Sequence, residues 1–349
     1  MMSEKEVGVT KCPMQIEREL SVFVSGQSKT KRVLSILGYN HYLRYYRNLC
    51  PGISPSAPPR LTGLITGPTG TGKTYLPQCL AKVLDFPFLH IDATSITKTG
   101  FTGNASMKEH FDRLSCSIER TVLHDRINYA IVFIDEIDKL GGRMATTTSD
   151  DWNYEIQAAM LTALDGGMVG PYNTEKMLFI LAGAFEPTYE DRMRKRKEVG
   201  FMGKHTTDDQ IYDDDLTREE VEKAGIRREL LGRIHVLTHT TRLTKAEIKK
   251  VLVEVQDNIL DQFTSLMMIG GGMPDPKRIE KDIDKMVDDL HNIKNKYGMR
   301  YVKTIMFDYF KEDLFYLDGV MKPSPDDALS TQSLTTYTPE DYDKLDGAL

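Results

Sequence analysis

The sequence predicts an α/β fold in which a parallel sheet is followed by a smaller, mostly helical C-terminal domain. Three observations predict it. Apolar strand-like runs, LTGLIT, YAIVFIDEI and KMLFILAGAF, alternate with helix-patterned stretches, the pattern of a parallel sheet with crossover helices. A glycine-rich turn joins the first run to the helix-like TYLPQCLAKVL. From about Leu243 the strands stop, and the amphipathic stretches TKAEIKKVLVEVQDNILDQF and IEKDIDKMVDDLHNIKNKY take over.

Four segments follow in order. Residues 1–60 form an N-terminal helical segment, with Val33, Leu34, Ile36 and Leu37 leading into YNHYLRYYRNL, and a linker, PGISPSAPPR, whose prolines favour extended chain. Residues 61–241 form the large α/β domain. Pro77 falls in the first turn of a helix there, where no intrahelical N–H bond is lost. Ile156, Ala159, Met160, Ala163 and Leu164 recur at helical spacing and stop at Asp165-Gly166-Gly167. Residues 242–320 form the small helical domain. Residues 321–349 are polar, acidic and punctuated by proline, and read as a disordered tail.

With 349 residues there is length for more than one domain. A net charge of −6 disfavours a duplex nucleic acid as main partner. Cys12, Cys50, Cys79 and Cys116 are widely spaced and form no C-x-x-C pair, against a zinc finger or a disulfide framework. Neither an apolar signal core nor a membrane-length apolar run is found, so a cytoplasmic protein is expected.

Gly67-Pro68-Thr69-Gly70-Thr71-Gly72-Lys73-Thr74 fits G-x-x-x-x-G-K-[ST] and lies between a strand and a helix, where a phosphate loop belongs. Its backbone N–H groups and the helix N-terminus suit phosphates, Lys73 suits the outer phosphates, and the Thr74 hydroxyl suits Mg²⁺. A second apolar strand delivers Asp135 and Glu136 to its C-terminal edge. Asp135 is placed to bind Mg²⁺ and Glu136 to polarise an attacking water, unless both acids merely face solvent. Together these residues predict ATP hydrolysis with Mg²⁺ on a P-loop fold.

The segments LSVFVSGQSKTKRVLSILGYNHYLRY, GPTGTGKT, FLHIDATSITKTGFTG, IVFIDEIDKL, ALDGG, LFILAGAF and RRELLGRIHVLT resemble, in order and spacing, the AAA+ module of the ClpX family. These are hexameric protein unfoldases of the Clp/Hsp100 group, and the likeness runs from about Leu20 to Phe310. The resemblance implies that Val24, Gly26 and Gln27 lie near the adenine. It implies that Arg233 is an arginine finger offered to a neighbouring subunit, and that Arg300 is a sensor arginine acting in cis. It places Gly100, Phe101, Thr102 and Gly103 on an aromatic pore loop that grips polypeptide; read alone, this stretch is more readily a tight turn with a buried Phe. Val199, Gly200 and Phe201 match a tripeptide that docks on a ClpP-type peptidase, although the same stretch could pack on its own domain.

There are departures. The family's four-cysteine zinc domain is not found, the basic entrance loop is shortened to MVGPYNTEK, Thr102 replaces a hydrophobic residue, and Ala182-Gly183 offers no polar sensor-1 side chain. The expectation is an ATP-driven protein unfoldase that threads protein substrates through a homohexameric pore. The alternatives are a dedicated assembly factor without a protease and, against the acidic charge, a motor on nucleic acid.

Overall fold

A computed structural model of the chain describes residues 11–49, 58–96, 106–118, 124–141, 147–199 and 214–317. Two helices come first, α1 (Pro13–Phe23) and α2 (Ser28–Leu49). The single helical pattern expected at the N-terminus is broken between them, because Gly26 and Gln27 take left-handed φ angles of 69° and 54° that no helix continues through.

The large domain then runs β1 (Gly63–Thr66), α3 (Tyr75–Leu84), β2 (Phe88–Asp92), α4 (Met107–Ile118), β3 (Ile131–Asp135), α5 (Thr147–Leu164), β4 (Met168–Val169), β5 (Tyr172–Asn173), β6 (Leu178–Gly183), α6 (Glu186–Val199), α7 (Arg218–Lys223), α8 (Arg228–Leu231) and β7 (Val236–His239). Five strands form one sheet in the order β2-β3-β6-β1-β7, with every pairing parallel. The stretch MVGPYNTEK folds into the small antiparallel β4–β5 hairpin. Two elements escaped the sequence pattern. β2 is an edge strand whose residues alternate in burial, so it lacks the continuous apolar run of β3 and β6, and the hairpin has only two residues per strand.

Both faces of the sheet are covered. Val132, Ile134, Phe179 and Leu181 point to one side and pack with α4, α5 and the α7–α8 region. Ile131, Phe133, Ile180 and Ala182 point to the other, against α1, α2 and α3. Successive side chains of a strand face opposite ways, so a strand buried on both faces must be apolar at every position.

The last elements are α9 (Lys245–Val253), α10 (Ile259–Ile269), α11 (Pro276–Tyr297) and α12 (Val302–Phe315), gathered around a third apolar cluster that includes Leu252, Ile283, Leu290 and Phe310. The stretch from Thr244 to Phe263 splits into two helices. Asn258 caps the second by accepting from the Asp261 N–H at 2.8 Å, and Asp257 before it has a left-handed φ of 59°.

Ile180, fully buried at the middle of the central sheet, tests this packing. Ile180→Ala is expected to lower unfolding stability by about 3 kcal/mol in denaturant titration. A loss below about 1 kcal/mol would contradict a core closed on both faces of the sheet.

Candidate functional site

All five strands run the same way, so their C-terminal ends share one edge, where ligands of open α/β sheets bind. The loop after β1 and the acids after β3 meet there. The loop is pinned from below: a Cβ on Gly67 would stand 2.4 Å from the Thr240 carbonyl oxygen, so only glycine fits. The Thr71 hydroxyl donates to the Pro68 carbonyl at 2.9 Å and meets the Thr240 hydroxyl at 2.6 Å. Thr69 donates to Glu186 at 3.2 Å.

Lys73 is buried, and its ammonium donates to the Gly67 and Pro68 carbonyls at 2.7 and 2.8 Å. Burial pushes its pKa down to about 8, with the Asp135 and Asp138 charges opposing. Those two carbonyls stand in for the phosphate oxygens that a nucleotide supplies.

Opposite, the Thr74 hydroxyl donates to Asp135 Oδ2 at 2.8 Å. Glu136 has a left-handed φ of 59°, and its N–H donates to Asp135 Oδ1 at 2.9 Å. This kink turns the Glu136 carboxylate to the cavity wall, where it pairs with Lys139. The cavity has a volume of about 290 Å³ and is lined by Gly70, Gly72, Lys73, Thr74, Tyr75, Asp135, Glu136, Asp138, Lys139, Ala184, Met299 and Arg300.

The C-terminal helices complete it. The Met299 N–H donates to the Gly70 carbonyl at 3.0 Å, and Gly298, at φ 57°, approaches so closely that a Cβ would lie 2.6 Å from the Thr69 carbonyl oxygen. Arg300, in the short 3₁₀ turn Gly298–Tyr301, thereby reaches the cavity. Beyond Gly70 lies a second, much smaller crevice of about 20 Å³, bounded by Thr69, Thr71, Arg242, Leu243, Ile248, Leu290 and Met299.

Val24 is buried, and Gly26 packs so closely on α9 that a Cβ would meet Glu247 Oε1 at 2.6 Å. The Gln27 amide is fully engaged. It accepts from the Thr241 N–H at 3.0 Å, donates to the Thr241 carbonyl at 2.6 Å, and lies 3.4 Å from the Thr71 carbonyl. Gln27 therefore ties the loop to the chain entering α9.

Arg233 is not in the cavity. Its guanidinium pairs with Asp165 through contacts of 2.6 and 3.2 Å and donates to the Glu229 carbonyl at 3.2 Å, on an exposed surface. Val199 ends α6, while Gly200 and Phe201, like Gly100, Phe101, Thr102 and Gly103, lie outside the described residues. So does the 321–349 tail.

The sequence reading missed Asp138, Lys139 and Tyr75. Asp138 accepts from the Phe185 N–H at 3.2 Å just past β6, and burial raises its pKa above the ordinary carboxylate value. It supplies a polar group beside Ala184, where Ala182 and Gly183 offer none. Its signal was the i+3 repeat of acid after Asp135 within DEID.

A strand, a phosphate loop and an acid pair so arranged define a P-loop nucleotide hydrolase of the α/β class. The family model described as AAA domain (Cdc48 subfamily) matches residues 59–237. The chain is 28% identical, over 87% of its length and 74% of the relative's, to an ATP-dependent Clp protease ATP-binding subunit ClpX from Borrelia duttonii (strain Ly). A ClpX from Bacteroides fragilis (strain YCH46) is 29% identical over 86% of this chain and 76% of its own. A ClpX 3 from Methylococcus capsulatus is 31% identical over 77% and 69%. The chain belongs to the AAA family, as a ClpX-like AAA+ ATPase. No helix among the described residues is long and apolar enough to cross a membrane.

The depressed Lys73 pKa has a measurable consequence. Bound phosphates restore the charged ammonium, whereas free Lys73 loses its proton as pH rises through about 8. Nucleotide affinity is thus expected to be flat below about 8 and to fall above it, by up to about tenfold per pH unit, with uptake of one proton on binding. Calorimetric titration at pH 9 in buffers of different ionisation enthalpy reads that proton directly; an uptake of zero would contradict the assignment.

Proposed function

We propose that this ATPase is a protein unfoldase or remodelling chaperone that works as a homohexameric ring. The observation that supports the reading is the separation of Arg233 from its own cavity: it does not line the cavity and is exposed, paired with Asp165, where a neighbouring subunit could receive it.

Within one subunit the roles divide as follows. Lys73 and the loop N–H groups hold the outer phosphates. Val24, Gly26 and Gln27 lie toward the adenine, with Gln27 holding the loop against the segment at Thr241. The Thr74 hydroxyl and the Asp135 carboxylate, two hard oxygen groups already 2.8 Å apart, fit Mg²⁺ and would hold it. When bound, that ion neutralises charge building on the transferred phosphoryl group. Glu136, kinked toward the cavity, orients and deprotonates the attacking water. Arg300 contacts the nucleotide in cis and links its state to the position of the C-terminal helices. Arg233 of one subunit stabilises the transition state in the next.

Substrate handling rests on Phe101, an aromatic between Gly100 and Gly103 with Thr102, which grips unfolded chain by bulk and apolar area. Val199-Gly200-Phe201 would dock on a ClpP-type peptidase. A specific feature favours the alternative of a remodelling factor without a peptidase: the entrance segment is the short β4–β5 hairpin and carries no basic cluster.

Two measurements test the reading. Arg233→Ala should bind ATP normally but hydrolyse it at least about tenfold more slowly, and mixing with Glu136→Gln subunits, which offer a finger but cannot cleave, should restore turnover. Failure of that rescue would remove the ring reading. Phe101→Ala should keep ATP hydrolysis while losing the unfolding of a tagged fluorescent protein; unimpaired unfolding would return Phe101 to a buried turn.

A further inference from the structure

Gln157, midway along α5, is an amide buried to 2% exposure within an otherwise apolar stripe, and all of its bonds go to backbone groups of two distant segments. Its Nε2 donates to the Leu140 carbonyl at 3.3 Å and to the Gly225 carbonyl at 3.2 Å, and its Oε1 accepts from the Arg227 N–H at 2.9 Å. Leu140 belongs to the 3₁₀ turn Ile137–Gly141, which follows Glu136 directly and is closed by the Lys139 N–H bond to the Glu136 carbonyl at 3.1 Å. Arg227 caps α8, whose end carries Arg233 through an N–H bond to the Leu230 carbonyl at 3.0 Å.

The two segments also touch without side chains between them. A Cβ on Gly141 would lie 1.7 Å from the Ala224 carbonyl oxygen, and one on Gly225, at φ 97°, would lie 2.3 Å from the Gly141 carbonyl oxygen. The joint is therefore backbone against backbone, with one amide sealing it. Two further contacts reach the second segment: the Tyr154 ring of α5 faces the Arg227 guanidinium at 3.9 Å, and Asp165, the residue after α5, pairs with Arg233 at the surface.

We infer that Gln157 is a positioning residue that locks the Glu136 turn to the Arg233 segment, so that the hydrolytic carboxylate of one site and the cation offered to the next are set as a unit. The inference rests on the reading of Arg233 as a trans-acting finger. A buried amide that satisfies three backbone groups is expensive to lose, since each group is then left unpaired away from water. The joint thus has few intermediate states. A shift of the turn on nucleotide binding carries Arg233 with it, and a shift of Arg233 on docking to the neighbour carries Glu136.

The test uses full-length rings. Gln157→Met keeps the volume and removes all three bonds. It should bind ATP within twofold of wild type and lower kcat tenfold or more. That split between unchanged affinity and lowered kcat separates this role from ordinary structural support, and mixed rings then read whether the loss reaches both sides of the joint. With Glu136→Gln subunits as partner, the active sites combine a Gln157→Met carboxylate with an intact finger; with Arg233→Ala subunits, they combine an intact carboxylate with a Gln157→Met finger. We expect both mixtures to run at least fivefold below the same mixtures made with wild type. Either mixture matching its wild-type counterpart would overturn the coupling, because Gln157 would then serve only one side. Glu136→Gln mixed with Arg233→Ala is the control: no turnover there removes the finger reading, and this inference with it. If the Met variant fails to fold, Gln157→Glu carries the same measurement, since it keeps the acceptor for Arg227 and loses the donor to Leu140 and Gly225.

Discussion

Parallel pairing of β1 and β3 on either side of β6 is the constraint on which the site depends. It aligns Thr66↔Gly183 and Ile134↔Leu181, so the phosphate loop and the acids leave the sheet on one edge, one strand's width apart. The gap between them is then spanned by a single hydrogen bond, Thr74 to Asp135, and the intervening β6 contributes no side chain large enough to block it. A Cβ on Gly183 would press on Asp138 Oδ1 at 2.7 Å. Because parallel strands need crossover helices, the same constraint buries both faces and demands the uninterrupted apolar runs of β3 and β6.

From the other end of the sheet, four consecutive residues after Leu237 tie the site to everything around it. The Thr238 hydroxyl meets Thr30 on α2, and the His239 ring reaches Asp215 at 2.6 Å, which Lys29 also holds. The Thr240 hydroxyl meets Thr71 in the phosphate loop, and Thr241 exchanges two bonds with Gln27. Beyond Thr241 the chain enters α9. Most of these groups are buried, so each bond is costly to break without replacement. A displacement of the phosphate loop is therefore passed to α2 and to the start of the C-terminal helices, while the Met299–Gly70 bond carries the same motion to α11 and α12.

Local chemistry was legible in the sequence wherever a spacing rule applies. The loop from Gly67 to Thr74 and the acids Asp135 and Glu136 were placed by the bonds a phosphate and a metal require, and the strands carrying them by their apolar runs. What the sequence hid depends on partners far along the chain. β2 alternates because it is an edge strand. The break at Gly26 and Gln27 is set by the approach of α9, and the break at Asn258 by a cap. Gln157, beside the stripe formed by Ile156 and Met160, carries no spacing signal, because only the tertiary structure brings Leu140, Gly225 and Arg227 to its amide.

On the proposed ring reading, Arg233 is where assembly meets the chemistry. Its pairing with Asp165 is between exposed groups, so solvent screens it and it holds the guanidinium only weakly. The direction in which Arg233 points must come instead from the backbone that carries it, and that backbone is fixed to α5 by the buried amide of Gln157 and the glycine contact beside it. Such a division suits the proposed role, in which the cation leaves one carboxylate for a more negative site in another subunit. The weak pair keeps it extended and charged, and the rigid segment gives it an aim. On that reading release from Asp165 costs little, whereas delivery would be governed by the joint proposed to set Glu136.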